Sequence, residues 1–262
     1  MGRIGVAATA PFGADVLERL AAQRDVAFLL TRPDARAGRG RKVAAPPAKQ
    51  VAERLGLRVL QPERPEIEDV DVMIVAAYGL LIPVAMLDQA LWLNVHPSLL
   101  PRWRGAAPVE RAIMAGDRET GVTIHRTVKE LDAGPIAAQG AFVIDEEDDA
   151  GAVFARAADL TVDLLDGVLM KDEPSFAPQP EEGVTYADKI TAADRDLDLA
   201  DPEAAVRVVR ALSPQIGARA TLEGRDLIVW RAHVEDGRFV PLEVQPAGKR
   251  RMTYDAFQRG LR

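Results

Sequence analysis

Asn94-Val95-His96-Pro97-Ser98-Leu99-Leu100-Pro101-Arg102-Trp103-Arg104-Gly105, with Leu131-Asp132-Ala133-Gly134 further on, supplies an amide, an imidazole and a carboxylate. Such groups polarise a carbonyl and move a proton. Asn94 and His96 close an apolar stretch, and on a strand residues i and i+2 leave from the same face. Pro97 to Pro101 cannot continue regular structure, so the pair sits where a strand opens into a loop. Ligands of open α/β sheets bind at that edge. When an amine attacks an acyl carbon, the carbonyl oxygen becomes an oxyanion. An Asn N–H and a protonated imidazole can stabilise it, each such donor being worth roughly 10²–10³ in rate. A carboxylate favours the imidazolium and orients it. Asp132, in a turn after a strand, is the candidate partner; the alternative is an Asx-type turn residue.

The elements that must position these groups alternate between strands and amphipathic helices. Strands are predicted at Ile4–Ala8, Val26–Leu30, Val59–Leu60, Val72–Ala77, Leu91–Val95, Gly121–Thr127 and Ile136–Ile144. Helices are predicted at Asp15–Gln23, Ala48–Leu55, Pro108–Met114 and Ala152–Met170. This rhythm implies an α/β fold, Rossmann-like, with a mostly parallel sheet and helices on both faces. The turn Ala7-Ala8-Thr9-Ala10-Pro11-Phe12-Gly13 lacks the dinucleotide fingerprint, which disfavours a nicotinamide enzyme. Lys171–Gly183 is rich in Pro and acidic residues and reads as a boundary. A helix at Pro202–Leu212 and short strands at Ala218–Leu222, Leu227–Val234 and Phe239–Val244 then form a small second domain. The expected division is a catalytic domain over 1–182, a linker over 183–201 and a C-terminal domain over 202–262.

Composition narrows the chemistry. The 262 residues include no Cys, which excludes disulfides, thiolate metal sites and a Cys nucleophile and fits a reducing cytoplasm. The N-terminus reads as a buried first strand and not a signal peptide. The longest apolar run, Val72–Leu87, is broken by Gly79 and Pro83 and too short to span a bilayer, so no membrane role follows. A formal charge of −7 opposes bulk nucleic-acid affinity. Arg32–Lys42 and Pro246–Arg262 nevertheless each hold five basic residues against one acidic. Two such patches suit one face of a folded RNA, or simply solubilise a loop and a tail. His125 and His233 lack metal-ligand spacing, so no metal is expected, and His125 reads as a packed strand residue. Asp145–Asp149 reads as a solvated run before a helix.

Asn94-x-His96-Pro-Ser-Leu-Leu-Pro-Arg-x-Arg-Gly, Glu119-Thr-Gly-Val-Thr-Ile and Leu131-Asp132-Ala-Gly-Pro-Ile together resemble the core of the formyltransferases that use 10-formyltetrahydrofolate. Within them the chain most resembles the methionyl-tRNA formyltransferase family. Thr31-Arg-Pro-Asp-Ala-Arg-Ala-Gly-Arg-Gly-Arg-Lys42, Ala77-Tyr-Gly-Leu-Leu-Ile-Pro83, Pro101-Arg-Trp-Arg-Gly-Ala-Ala-Pro108 and Gln245-Pro-Ala-Gly-Lys-Arg250 carry that likeness over nearly the whole chain. The resemblance implies Asn94, His96 and Asp132 as a catalytic triad. It implies folate contacts at Ser98, Leu99, Leu100 and Pro101, with Leu80, Leu81 and Ile82 near the pterin. It implies Thr9 and Phe12 near the aminoacyl group, and Arg39, Arg41, Lys42, Lys249 and Arg250 toward tRNA. The implied partners are initiator methionyl-tRNA and folate, with no stable protein partner. The family's C-terminal domain is an OB-like barrel. Here only Val234–Val244 fills the space before Gln245-Pro-Ala-Gly-Lys, so a shortened barrel is expected. The first loop also departs, with Ala8-Thr9-Ala10-Pro11-Phe12 where the family has Gly-Thr-Pro-x-Phe. The alternatives are a sugar-nucleotide N-formyltransferase, a branch that His125-Arg126 is similar to, and a non-catalytic RNA-binding relative.

Overall fold

A computed structural model of the chain describes residues 2–37, 42–62, 66–171 and 173–261. In order, the elements are β1 (Ile4–Ala8), α1 (Pro11–Gln23), β2 (Val26–Leu30), β3 (Ala35–Ala37), β4 (Lys42–Ala44), α2 (Pro47–Arg54), β5 (Val59–Leu60), β6 (Val72–Ala76) and α3 (Val84–Leu87). They continue with β7 (Leu91–His96), β8 (Arg104–Gly105), α4 (Pro108–Ala115), β9 (Glu119–Arg126), β10 (Ile136–Val143), α5 (Ala150–Leu169) and β11 (Tyr186–Ala187). The last are α6 (Pro202–Leu212), β12 (Ala218–Leu222), β13 (Arg225–Glu235), β14 (Arg238–Pro246), β15 (Met252–Thr253) and α7 (Tyr254–Arg259). The chain forms two compact units. The first comprises Met1–Arg104, Gly121–Ala141 and Ala155–Thr185; the second comprises Gly105–Thr120, Phe142–Phe154 and Tyr186–Arg262.

The first unit is built on a seven-stranded sheet in the order β10-β9-β7-β6-β1-β2-β5. The strands from β5 to β7 run parallel, and β9 pairs antiparallel with β7. The predicted mostly parallel sheet is therefore present. All five residues of β1 are buried, as its unbroken apolar run requires of a central parallel strand. From β1 the chain adds strands outward to β5, then returns to add β6 and β7 on the other side. This reversal is the switch point at which such sheets open a crevice beyond their strand C-termini.

Period two governs the packing. Phe28 and Leu30, Met73 and Val75, and Trp92 share one cluster with Ala7, closed by Val70, Tyr78 and Met86. The indole N–H of Trp92 donates to the Met86 carbonyl at 2.8 Å, so even the largest buried side chain has its polar atom satisfied. Helix α1 begins at Pro11, four residues before the predicted Asp15, because Pro at the first helical position has its φ preset and needs no N–H partner. Phe12 thus enters the first turn and is buried.

The second unit carries the sheet β12-β13-β14-β15, antiparallel throughout, where the shortened barrel was expected. Val209, Leu212, Ala218, Leu227, Val229, Val244 and Phe257 form its core, with Met114 packed against it. Asp201 caps α6 by accepting from the Ala204 N–H at 3.0 Å. Among the described residues no helix is long and apolar enough to cross a membrane.

Candidate active site

Strand β7 ends at His96, one residue beyond its predicted limit, so Asn94 and His96 leave the same face at the sheet's C-terminal edge. The parallel strands β1, β2 and β6 end on the same edge and deliver Thr9, Thr31 and the segment Ala77–Ile82 there. The Thr9 and Thr31 hydroxyls are 3.3 Å apart, and the Ala10 N–H donates to the Ala77 carbonyl at 3.2 Å.

Asn94 donates from Nδ2 to Oδ1 of Asp132 at 3.0 Å, and the same nitrogen lies 3.0 Å from Nε2 of His125. His96 places Nδ1 3.7 Å from Oδ2 of Asp132, while Oδ1 of Asp132 stands 3.7 Å from Nε2 of His125. The structure thus brings Asn94, His96 and Asp132 together and adds His125. That residue signals itself by being the register partner of Asn94 across β7–β9, on a strand face shared with Thr123. Thr123 and His125 are both buried polar residues on that face, a pattern visible in sequence once β7 and β9 are paired.

Hydrogen-bond partners fix both histidine tautomers. Nε2 of His96 faces the Trp103 carbonyl at 2.7 Å and must carry the proton, which leaves the lone pair on Nδ1 when the ring is neutral. Nδ1 of His125 faces the Arg126 carbonyl at 3.0 Å and must donate, so Nε2 accepts from Asn94. Both amide hydrogens of Asn94 are therefore engaged, and the carboxylate forbids the flipped amide, which would oppose two oxygens. Burial pushes the His96 imidazole below its ordinary value of 6.5, outweighing the Asp132 carboxylate and the Trp103 carbonyl, which push the other way; His125 adds to the lowering. The neutral ring is the resting form at neutral pH, whereas the sequence pattern pointed to an imidazolium.

Two turns on either side of His96 are strained. Trp103 has φ +65° and Asp132 has φ +46°. Such backbone costs on the order of 1–3 kcal/mol per residue and is kept where the surroundings over-determine it. Gly134 completes the Asp132 turn because a Cβ there would meet the Arg126 carbonyl oxygen.

The other expected site residues divide by accessibility. Ser98 is fully buried, its hydroxyl donating to the Arg102 carbonyl at 2.7 Å, and Leu100 is also buried. Leu99 and Pro101 are half-buried. Thr123 and Gln139 hold this loop: the Leu100 N–H donates to Thr123 Oγ1 at 3.1 Å, and Gln139 Nε2 donates to the Leu100 carbonyl at 3.0 Å. Leu81 is 90% exposed and Leu80 is exposed, while Ile82 packs against the core. Thr9 is half-buried. Lys249 and Arg250 are exposed in the turn after β14, in the second unit. Arg39 and Arg41 lie outside the described residues, as does the side chain of Lys42. No cluster of metal-ligating residues occurs among the described residues.

Residues 4–169 match the family described as formyl transferase. The chain is 39% identical over 295 aligned residues to the methionyl-tRNA formyltransferase of Methylococcus capsulatus, covering 97% of this chain and 96% of that one. The aligned length exceeds this chain's own 262 residues, so that relative carries insertions this chain lacks. Among solved structures, the methionyl-tRNA formyltransferase of Clostridium thermocellum superposes with a TM-score of 0.67 at 16% identity, over 93% of this chain and 98% of that one. HypX of Aquifex aeolicus in complex with tetrahydrofolic acid gives 0.69 at 18% identity; the match covers 98% of this chain and 46% of HypX. These two likenesses are of fold.

Proposed function

The chain belongs to the formyl transferase family, on its methionyl-tRNA formyltransferase branch, and from that premise we propose that it moves a formyl group from 10-formyltetrahydrofolate to the α-amino group of initiator methionyl-tRNA. The observation that carries the reading is the Asp132 carboxylate lying against Asn94, His96 and His125 at the edge of β7. The amine nitrogen adds to the formyl carbon, the carbonyl π pair moving onto oxygen, and that pair returns as the carbon's bond to the donor nitrogen breaks. The proton the amine gives up goes to Nδ1 of His96, which burial keeps neutral and ready to accept it. Imidazolium then lies between the Asp132 carboxylate and the Trp103 carbonyl, and the proton returns to the nitrogen that the formyl group leaves. Negative charge building on the formyl oxygen takes over the Asn94 N–H otherwise shared with neutral His125, since a charge-assisted hydrogen bond is roughly twice as strong as a neutral one.

The formyl donor supplies the one-carbon group, and this chain offers apolar surface for its planar ring at exposed Leu80 and Leu81 and half-buried Leu99. Thr9 and Phe12 are assigned to the aminoacyl end. Exposed Lys249 and Arg250 are assigned to tRNA phosphates, together with Arg39, Arg41 and Lys42, as local cations on an acidic body suit. Purified protein supplied with 10-formyltetrahydrofolate and methionyl-tRNA should yield formylmethionine after ester hydrolysis. A formylated amino-sugar nucleotide, formed instead, would overturn the assignment.

A further inference from the structure

We propose that Gln179 is a positioning residue, tying the turn that presents Asp132 to the turn that presents the Trp103 carbonyl so that His96 is held between them. This rests on the proposed role of His96. The segment 177–185, which in sequence reads only as a Pro- and acid-rich boundary, is stitched at both ends. At one end Ala177 and Ile136 exchange N–H to carbonyl bonds of 2.7 and 2.9 Å, just beyond the Asp132 turn. At the other, Thr185 accepts from the Trp103 N–H at Oγ1 (2.9 Å) and from the Arg104 N–H at its carbonyl (2.9 Å).

Gln179 lies between these stitches and uses both ends of its amide. Nε2 donates to the carbonyls of Asp132 at 2.7 Å and Gly134 at 2.9 Å. Oε1 accepts from Nε of Arg104 at 3.1 Å and from its Nη2 at 2.5 Å. Two carbonyls facing nitrogen and a guanidinium facing oxygen allow only one amide orientation. Pro178 and Pro180 flank the residue, and each proline fixes its own φ and restricts the residue before it, which leaves Gln179 little backbone freedom. Arg104 directly follows Trp103. The ties therefore join the two strained residues that touch opposite sides of the His96 ring, one through its carboxylate and one through its carbonyl.

A loosened Asp132 turn would let the carboxylate drift from Nδ1. Among the described residues the charged or titratable groups that act on the ring are Asp132 and His125, and Asp132 is the one that favours the proton. Its retreat must lower the affinity of His96 for a proton still further.

The test uses Gln179→Met, which keeps size but removes all four bonds, and Gln179→Leu, which removes them with a shorter side chain and likewise adds no charge. Imidazole ¹⁵N shifts of the full chain, which has only three histidines, report the His96 titration without reference to activity. Both variants should titrate at lower pH than wild type and lose about tenfold or more in kcat, with KM within about twofold, as misplacement near reacting atoms does. An unmoved His96 titration in a folded variant overturns the proposal, and so does a kcat loss without such a shift, which would make the segment mere scaffolding. Where one variant fails to fold, the other decides; failure of both to fold would overturn it as well. Wild-type protein inactive on methionyl-tRNA would sink the functional reading, while the titration shift would still stand or fall separately.

Discussion

Asn94 and His125 are register partners across β7 and β9, and their facing nitrogens lie 3.0 Å apart. One strand pair therefore places the amide and sets its orientation. The Asp132 carboxylate takes the second amide hydrogen at 3.0 Å, so the end of Asn94 that faces each neighbour is determined before any substrate arrives.

Replacing His96 by Ala removes the proposed proton acceptor while leaving the cations assigned to tRNA intact. Turnover should fall by roughly 10²–10⁴, the usual worth of a positioned acid–base group. Single-turnover formylation alongside filter binding of charged tRNA separates the two effects. Unchanged formylation would remove His96 from the reaction.

The pH dependence carries a sign. With neutral His96 as the proposed proton acceptor and burial lowering its proton affinity, kcat/KM should rise with pH along an acid limb centred below 6.5. Asp132 raises that affinity, so Asp132→Asn should move the limb to still lower pH while reducing the plateau rate. A limb moving to higher pH would reverse the assigned roles. Stability follows the same logic: between the lowered value and 6.5 the unfolded chain binds more protons than the native one at this ring, so His96 costs stability as pH falls through that window.

His125→Phe leaves a half-buried Asn94 N–H without its protein acceptor, at a cost of about 1 kcal/mol, the usual net worth of one hydrogen bond. Denaturant midpoints should fall accordingly, and formylation should slow as the amide loses its orientation. His125→Gln, which can still accept, should recover part of both. Full activity in the Phe variant would show that Asp132 alone orients Asn94.

Gly134→Ala introduces a Cβ 1.7 Å from the Arg126 carbonyl oxygen, which backbone cannot relieve without shifting the turn. Overpacking of this kind costs about 1–3 kcal/mol. The decisive measurement is kcat relative to melting temperature: activity should suffer more than stability, because Asp132 lies two residues away in the displaced turn.

The sheet and the Asn94–His96 pair were legible because period-two geometry and proline punctuation act locally. Asp132 was not legible on that basis: an Asp before Ala-Gly reads equally as a turn residue, and only family resemblance singled it out. His125 was read as packing, which its burial bears out, yet its polar edge faces Asn94 because β9 returns antiparallel beside β7. That pairing joins residues far apart in sequence. Gln179 had no signal at all, since the value of its amide comes from two turns that the chain assembles from elsewhere. The early start of α1 shows a local rule underweighted: Pro11 was read as loop when it is a helix opener.

The second unit draws on residues 105–120 and 142–154 as well as on everything after 185. Met114 and Phe257 pack in one cluster, with two segments of the other unit, 121–141 and 155–185, lying between them in sequence. During synthesis the last segment of the first unit is complete at residue 185, whereas the second cannot close its core until α7, which supplies Phe257, has left the ribosome. Its early segments are therefore made well before the residues that complete their core. A ribosome stalled before α7 should hold a nascent chain whose first unit already resists protease while helix α4 is still open to cleavage.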